Sequence, residues 1–183
     1  MNAKRIVVPI PTGTGVFLAH YSARGLAGLE FPSGSQPHRT TAATRRSRPP
    51  SVCRWHRLVV KALRCTLAGK AVVDLPPLDS SAGTLFQRRV WDAILRIPPG
   101  KTMTYSQVAG AIGKPKAVRA VGSACGANPI PILIPCHRVL RANGKLGGFT
   151  AGLKWKRLLL AREGVAIVVV RSKGDRSVRS KGE

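Results

Sequence analysis

A cysteine, a histidine and an arginine stand side by side at Cys136-His137-Arg138, behind an apolar run stiffened by Pro129, Pro131 and Pro135. A thiol attacks only as its thiolate, so it needs a base or a cation close enough to lower its pKa. This tripeptide supplies one of each. Free cysteines are more often inert buried hydrophobes, and it is the immediate company of Cys136 that argues for chemistry. Neighbouring side chains on an extended strand point to opposite faces. His137 therefore serves Cys136 only if the chain turns at this point or a water bridges the two. Glu163 is one of 7 acidic residues in the chain. Placed against His137 it would orient the imidazole and complete a Cys-His-Glu relay; its alternative role is that of an exposed carboxylate.

Such a site needs rigid elements to carry it, and the flanking sequence predicts helices. Phe86, Val90, Trp91, Ile94 and Leu95 form an apolar stripe at helical spacing, stopped by Pro98-Pro99-Gly100. A helix from about Tyr105 to Ile112 is capped by Thr104 and ended by Gly113, and the next starts with Pro115 in its first turn and runs to about Gly126. Separated only by Gly113-Lys114, the pair reads as a helix-turn-helix, whose second helix enters a DNA groove in proteins that use the motif for binding. Ala117, Ala120, Gly122, Ser123, Ala124, Cys125 and Gly126 make that second helix almost uniformly small. Small side chains permit a close approach, either to a neighbouring helix or to DNA. Lys114, Lys116 and Arg119 at its positive N-terminal end favour phosphate, and one long cation on a small face suits a minor groove. A last helix spans Leu153 to Arg162 and ends at Glu163-Gly164.

Upstream, the pattern changes. Arg5 to Ile10 and Val16 to Tyr21 flank Pro-Thr-Gly-Thr-Gly and read as a hairpin, with Gly25 to Phe31 as a third strand. Pro32 to Pro50 is polar, basic and too poor in apolar residues to pack. Helical periodicity resumes at Trp55, Leu58, Val59, Ala62, Leu63 and Leu67, closed by Gly69. The expected architecture is α/β. Residues 1–78 form a small N-terminal sheet with a covering helix and a basic loop at about 32–50. Residues 79–165 form a mainly helical, winged-helix-like domain with the helix-turn-helix and the cysteine, and 166–183 form a basic tail. The chain has 183 residues, with Lys+Arg 31, Asp+Glu 7 and a net charge of +24. Solubility needs a net charge of only about 2–8 on a small domain, so a polyanionic partner is expected.

Ile134-Pro-Cys-His-Arg-Val139, preceded by Asn128-Pro129 and followed by a Gly-rich loop from Gly144 to Gly152, resembles the active-site signature of the O6-alkylguanine-DNA alkyltransferases, also called methylated-DNA–protein-cysteine methyltransferases. The resemblance extends to Gly83–Trp91, Ile97–Gly100, Thr104-Tyr105, Gly113–Gly122 and Leu159–Gly164, in the family's order from about Asp79 to Gly164. It implies single-use transfer of a methyl or larger alkyl group from O6-alkylguanine to Cys136, and leaves open whether O4-alkylthymine is also a substrate. His137, through a water, would deprotonate Cys136, with Glu163 holding the imidazole and Asn128 bracing the turn. Arg119 would fill the gap left by the extruded base, and Tyr105 would help rotate the phosphate and hydrogen-bond the base. Tyr105, Ala117, Ala120, Ser123 and Arg138 join Arg119, Lys114 and Lys116 as expected DNA contacts. Ile134, Pro135, Val139, Gly147, Gly148, Phe149 and Thr150 would wall the pocket. The family pattern leads one to expect Tyr where Phe149 stands.

The resemblance implies no cofactor, double-stranded DNA with alkylated guanine as partner, and a monomer. His20, His38, Cys53, His56 and Cys65 form no recognisable zinc motif, so no metal is expected. No two cysteines are spaced as C-x-x-C, which points to free thiols in a reducing compartment. Pro9 and Pro11 break the first apolar stretch too early for a signal peptide, and Val165 to Val170 falls far short of the ~20 residues that span a bilayer. No membrane is expected as partner. The expected location is the cytoplasm, at the nucleoid in a bacterium, or the nucleus in a eukaryote. Two rival readings are a lesion-binding sensor without chemistry and a Cys-His hydrolase. Cys136 argues against the first; the second lacks an oxyanion hole and a substrate cleft in the sequence.

Overall fold

The computed structural model describes residues 5–32, 48–72 and 74–166. Three strands, β1 (Ile6–Thr12), β2 (Gly15–Ser22) and β3 (Gly25–Glu30), form an antiparallel sheet in that order. Alternation with period two turns Val8 and Ile10, then Phe17, Ala19 and Tyr21, to the core side. The first hairpin is tighter than the five-residue turn expected from Pro-Thr-Gly-Thr-Gly. Thr12 pairs with Gly15, leaving only Gly13-Thr14 in the loop, and the Thr12 hydroxyl donates to the Gly15 carbonyl at 2.7 Å. Helix α1 (Pro50–Leu67) covers the sheet with Val52, Val59, Ala62, Leu63 and Leu67 buried. Pro50 opens it at a position where a missing N–H costs nothing, so the helix claims the residue at which the basic loop was expected to end. Residues 33–47 of that loop, and 167–183 of the tail, lie outside the described residues.

Helix α2 (Leu85–Leu95) starts at a capping box, in which the Thr84 side chain accepts from the Gln87 amide and the Gln87 side chain from the Thr84 amide. Helix α3 (Tyr105–Ala111) repeats the device with Thr104 and Gln107. Helix α4 (Val118–Gly126) begins three residues after Pro115. Pro115-Lys116 instead forms a separate turn, with the Ala117 amide donating to the Lys114 carbonyl at 2.8 Å. The connection in the helix-turn-helix is thus longer than Gly113-Lys114 alone. Met103–Thr104 (β4) and Val139–Leu140 (β5) pair in parallel, and helix α5 (Leu153–Arg162) closes the described chain.

One large hydrophobic core runs through both halves, from Val8, Phe17 and Val59 to Trp91, Val121, Val139 and Leu159, with a small second cluster of Leu140, Leu146 and Leu160. Gly69 sets how the ends of α1 and α5 meet. Its φ of +71° suits glycine, and a Cβ there would lie 1.9 Å from the Arg162 carbonyl oxygen. The backbone contact it allows fixes the position of the next residue, Glu163. Among the described residues no helix is long and apolar enough to cross a membrane, and no group of three or more His, Cys, Asp or Glu side chains is placed to hold a metal ion.

Candidate active site

Cys136, His137 and Arg138 form a single 3-10 turn between the proline-stiffened run and β5. The turn removes the opposite-faces problem of an extended chain. His137 is fully buried, and its Nε2 lies 3.0 Å from Glu163 Oε1, with the Glu163 side chain only 1% exposed. A carboxylate at Nε2 selects the tautomer that donates from that nitrogen. The other ring nitrogen, Nδ1, is then a base, and it is buried with no hydrogen-bond partner among the described residues. Burial pushes the His137 pKa down, against the opposing pull of Glu163, so the imidazole is neutral near pH 7. For Glu163 burial acts upward, but hydrogen bonds from His137 and Arg138 and their charges outweigh it and hold the carboxyl at about 2.

Arg138 was expected to touch DNA, and here the structure corrects the sequence reading. Its guanidinium is buried, donating to Glu163 through Nη2 at 2.8 Å and Nε at 3.1 Å, and to the Ile97 carbonyl. A buried carboxylate needs such pairing, and Arg138 supplies it from the residue next to the one Glu163 must orient.

Asn128 braces the other side. Its Nδ2 donates to the Ile134 carbonyl at 2.8 Å and its Oδ1 accepts from the Ile130 amide at 3.0 Å. The loop it ties contains Ile132 at φ +76°, a strained conformation for a β-branched residue. Burial raises the Cys136 pKa, while a hydrogen bond with Asn128 and the nearby Lys156 ammonium oppose the rise. At rest the sulfur is a protected thiol, and it needs a base at the moment of reaction.

Cys136 lies at the edge of a cavity of about 590 Å³. Tyr105 of α3, the Val118–Gly126 face of α4, Arg141 and the loop from Gly147 to Thr150 line the remainder. Four of the seven expected wall residues are there. Ile134 and Val139 are core residues instead, and Pro135 lines a smaller depression with Arg138. Their places are taken by Val118, Gly122 and Cys125 of α4, and by Arg141. The loop must approach Tyr105 closely: Gly147 has φ +67°, and a Cβ on it would stand 2.7 Å from the Tyr105 hydroxyl. Thr150 Oγ1 anchors the loop to α4 by donating to the Gly126 carbonyl at 2.9 Å.

Lys156 was missed altogether. It is fully buried, donates from Nζ to the carbonyls of Val139 at 2.7 Å and Gly148 at 3.3 Å, and so ties the active-site strand to the pocket loop. Burial pulls its pKa down to about 8. The signal was present, since Lys156 falls on the same helical face as Leu159 and Leu160.

Next to the cavity mouth, α4 packs inward through Val121, Ala124 and Cys125 and leaves Arg119, Ala120 and Ser123 exposed. Lys114 and Lys116 are exposed and Ala117 half-buried on the same approach. The small residues are therefore divided, with Ala124 and Cys125 packed inward and Ala120 and Ser123 left open.

The profile of the 6-O-methylguanine DNA methyltransferase DNA-binding domain matches residues 85–165. OGT of Mycobacterium tuberculosis, solved in complex with DNA, is 37% identical with a TM-score of 0.67, over 86% of this chain and 91% of that one. The chain belongs to the 6-O-methylguanine DNA methyltransferase family. Two curated relatives match the C-terminal half. A probable methylated-DNA–protein-cysteine methyltransferase of Acanthamoeba polyphaga mimivirus is 62% identical over 78 residues, 43% of this chain and 52% of the relative. The bifunctional transcriptional activator/DNA repair enzyme Ada of Escherichia coli is 58% identical over 87 residues, 48% of this chain and 24% of Ada. The chain thus spans about half the length of the first and about a quarter of the second. In this methyltransferase-family chain the profile match contains every residue of the relay and the cavity, while the sheet and α1 lie before it.

Proposed function

We propose that this chain repairs duplex DNA by moving an alkyl group from O6-alkylguanine to Cys136 Sγ, once per molecule. The observation that carries the reading is the setting of that sulfur: at the edge of a cavity beside the exposed face of α4, next to a neutral imidazole whose free nitrogen is a base. Lys114, Lys116 and Arg119 hold the phosphate backbone, and the small residues of α4 allow the helix into the minor groove. The alkylated base leaves the stack, at a cost of a few kcal/mol that is least for a badly paired base, and Arg119 occupies the gap. His137 Nδ1 takes the thiol proton through a water while Glu163 stabilises the resulting imidazolium. Sulfur displaces guanine from the alkyl carbon, and Tyr105 hydrogen-bonds the departing base. A thioether has no easy hydrolytic return, so there is no turnover. The division of labour follows the sequence boundary near residue 78, the N-terminal part acting as a buttress and the C-terminal part carrying DNA contact and chemistry. The protein works as a monomer wherever DNA is kept, at the nucleoid or in the nucleus.

The test is incubation with a duplex containing O6-methylguanine, followed by peptide mass mapping. The expected result is one methyl group on the Cys136 peptide and none in Cys136→Ala, which still binds the duplex. An unmodified Cys136 after exposure to excess lesion would overturn the assignment.

A further inference from the structure

The cavity holds a second sulfur that the reaction above does not use. Cys125 lines it together with Cys136, and the two are exposed to nearly the same small extent, 6% and 5%. The backbone around Cys125 is held in place. The Trp91 indole donates to the Ala124 carbonyl at 2.8 Å, and Thr150 holds the Gly126 carbonyl. The Cys125 carbonyl accepts from the Asn128 amide at 3.4 Å, and Asn128 also braces the loop that carries Cys136. The backbone amide of Asn128 thus holds the Cys125 carbonyl while its side chain braces the loop of Cys136.

We propose that Cys125 is a second nucleophile in the alkyl pocket, which captures two-carbon bis-electrophiles as a bridge between the two sulfurs. The inference rests on the proposed alkyl transfer. Cys136 Sγ first takes a 2-haloethyl group from O6-(2-haloethyl)guanine, forming an S–C bond as the C–O6 bond breaks. The new thioether sulfur then displaces halide from the far carbon, giving a three-membered sulfonium ring. Cys125 Sγ opens that ring, forming the second S–C bond as one ring C–S bond breaks, and its proton leaves with the halide as HX. No oxidant or reductant is required. A disulfide would need the sulfurs about 2.0 Å apart, whereas an ethylene bridge tolerates a wider separation. The order of events is set by the surroundings. Burial pushes the Cys125 thiol up to about 12, and only Cys136 has the Asn128 hydrogen bond and the His137 base. The strained, cationic ring is electrophilic enough to be opened by the small thiolate fraction of Cys125. Capture inside the pocket would keep the reactive carbon from water and from the DNA strand.

The experiment exposes the protein to duplex freshly treated with a 2-chloroethylating agent, beside a duplex containing O6-methylguanine, and maps the peptides. The expected product joins the Cys125 and Cys136 peptides through C2H4 with both thiols consumed. In Cys125→Ser this bridged form disappears, and Cys136 carries 2-hydroxyethyl or remains linked to a base. Wild-type protein with 2-hydroxyethyl or a base on Cys136 and a free Cys125 would overturn the inference while leaving the methyl-transfer reading intact. A Cys136 unmodified by either duplex would overturn both.

Discussion

Each half of the molecule holds two cysteines and a hydrogen-bonded histidine, half-buried in the N-terminal half and fully buried in the C-terminal one, yet the two histidines meet very different partners. On α1, His56 Nδ1 lies 3.0 Å from the Tyr21 hydroxyl, and Cys53 and Cys65 are half-buried on the same helix. In the C-terminal half, His137 meets a carboxylate that an arginine keeps ionised, its second nitrogen has no hydrogen-bond partner among the described residues, and the next residue in the chain is a thiol that lines a cavity. Burial lowers the pKa of both histidines. The difference lies in what each imidazole can stabilise once it gains a proton: Glu163 offers a fixed negative charge, whereas the Tyr21 hydroxyl, with its pKa raised by burial, offers none. Residue type is the same in the two places, and reactivity comes from the partner of the partner.

The largest effect should separate the thiols. Cys136→Ala removes alkyl transfer entirely, while Cys53→Ala and Cys65→Ala leave stoichiometric transfer per folded molecule unchanged. A single-turnover assay on O6-methylguanine duplex measures this, and loss of transfer in either α1 variant would break the comparison. The histidines should differ next. General acid–base help is worth about 10²–10⁴-fold, so His137→Ala slows transfer by that order, whereas His56→Ala lowers the melting temperature without slowing the folded fraction.

The pH response sharpens the contrast. Glu163 has its folded pKa depressed to about 2 from an ordinary 4.5, so its contribution to stability is fully present above about 4.5 and is lost as pH falls from there toward 2. His137 is also depressed, below its ordinary 6.5. The unfolded chain therefore takes up a proton below pH 6.5 that the native imidazole resists, and stability again falls toward acid. Melting temperatures should drop steadily as pH goes from 7 to 3, and Glu163→Gln should flatten the lower part of that curve. The transfer rate should hold through neutrality and fall on the acid side as His137 charges. A rate that rises toward acid would exclude His137 as the base. A smaller effect belongs to the DNA face, where Arg119→Ala should slow repair in duplex by about ten- to a hundred-fold, the kinetic equivalent of a few kcal/mol of flipping. Equal slowing on free O6-methylguanine would remove its role as a wedge.

The parts legible in the sequence were those with local causes. Short β-rich runs around a Gly-Thr turn marked β1 and β2, a helical apolar stripe marked α2, Thr104 marked the start of α3, and the Cys-His-Arg run marked the site. What escaped depended on where side chains meet after folding. Arg138 carries the same charge in either role, and only the approach of Glu163 from α5 turns it inward. Ile134 and Val139 flank the cysteine in sequence, but the 3-10 turn sends them into the core and leaves the wall to α4. Pro115 was read as the first turn of α4 because proline fits there; the chain uses it in a separate turn. Lys156 was overlooked because a lysine on a helix defaults to solvent, although its register with Leu159 and Leu160 pointed inward.

The smallest predicted effect tests whether the two halves are as separate in function as their histidines suggest. Phe31, at the end of the sheet, stacks edge-on with Phe149 of the pocket loop, with centroids 5.7 Å apart and planes at 81°. Phe31 also packs on Trp155 of α5 at 4.9 Å, one residue before Lys156 holds the Gly148 carbonyl. The sheet therefore steadies the loop through one aromatic contact and, by way of α5, one buried amine. Such ring pairs contribute about 0.5–1.5 kcal/mol beyond their buried area. Phe31→Leu and Phe149→Leu should each destabilise the fold modestly, with a coupling in the double mutant of that size. If the buttress also serves the reaction, Phe31→Leu slows transfer of a bulky O6-benzyl group more than of methyl, because a loosened loop no longer holds the larger group against Cys136. Coupling near zero, with both alkyl groups slowed alike, would leave the N-terminal half a cover for the core and nothing more.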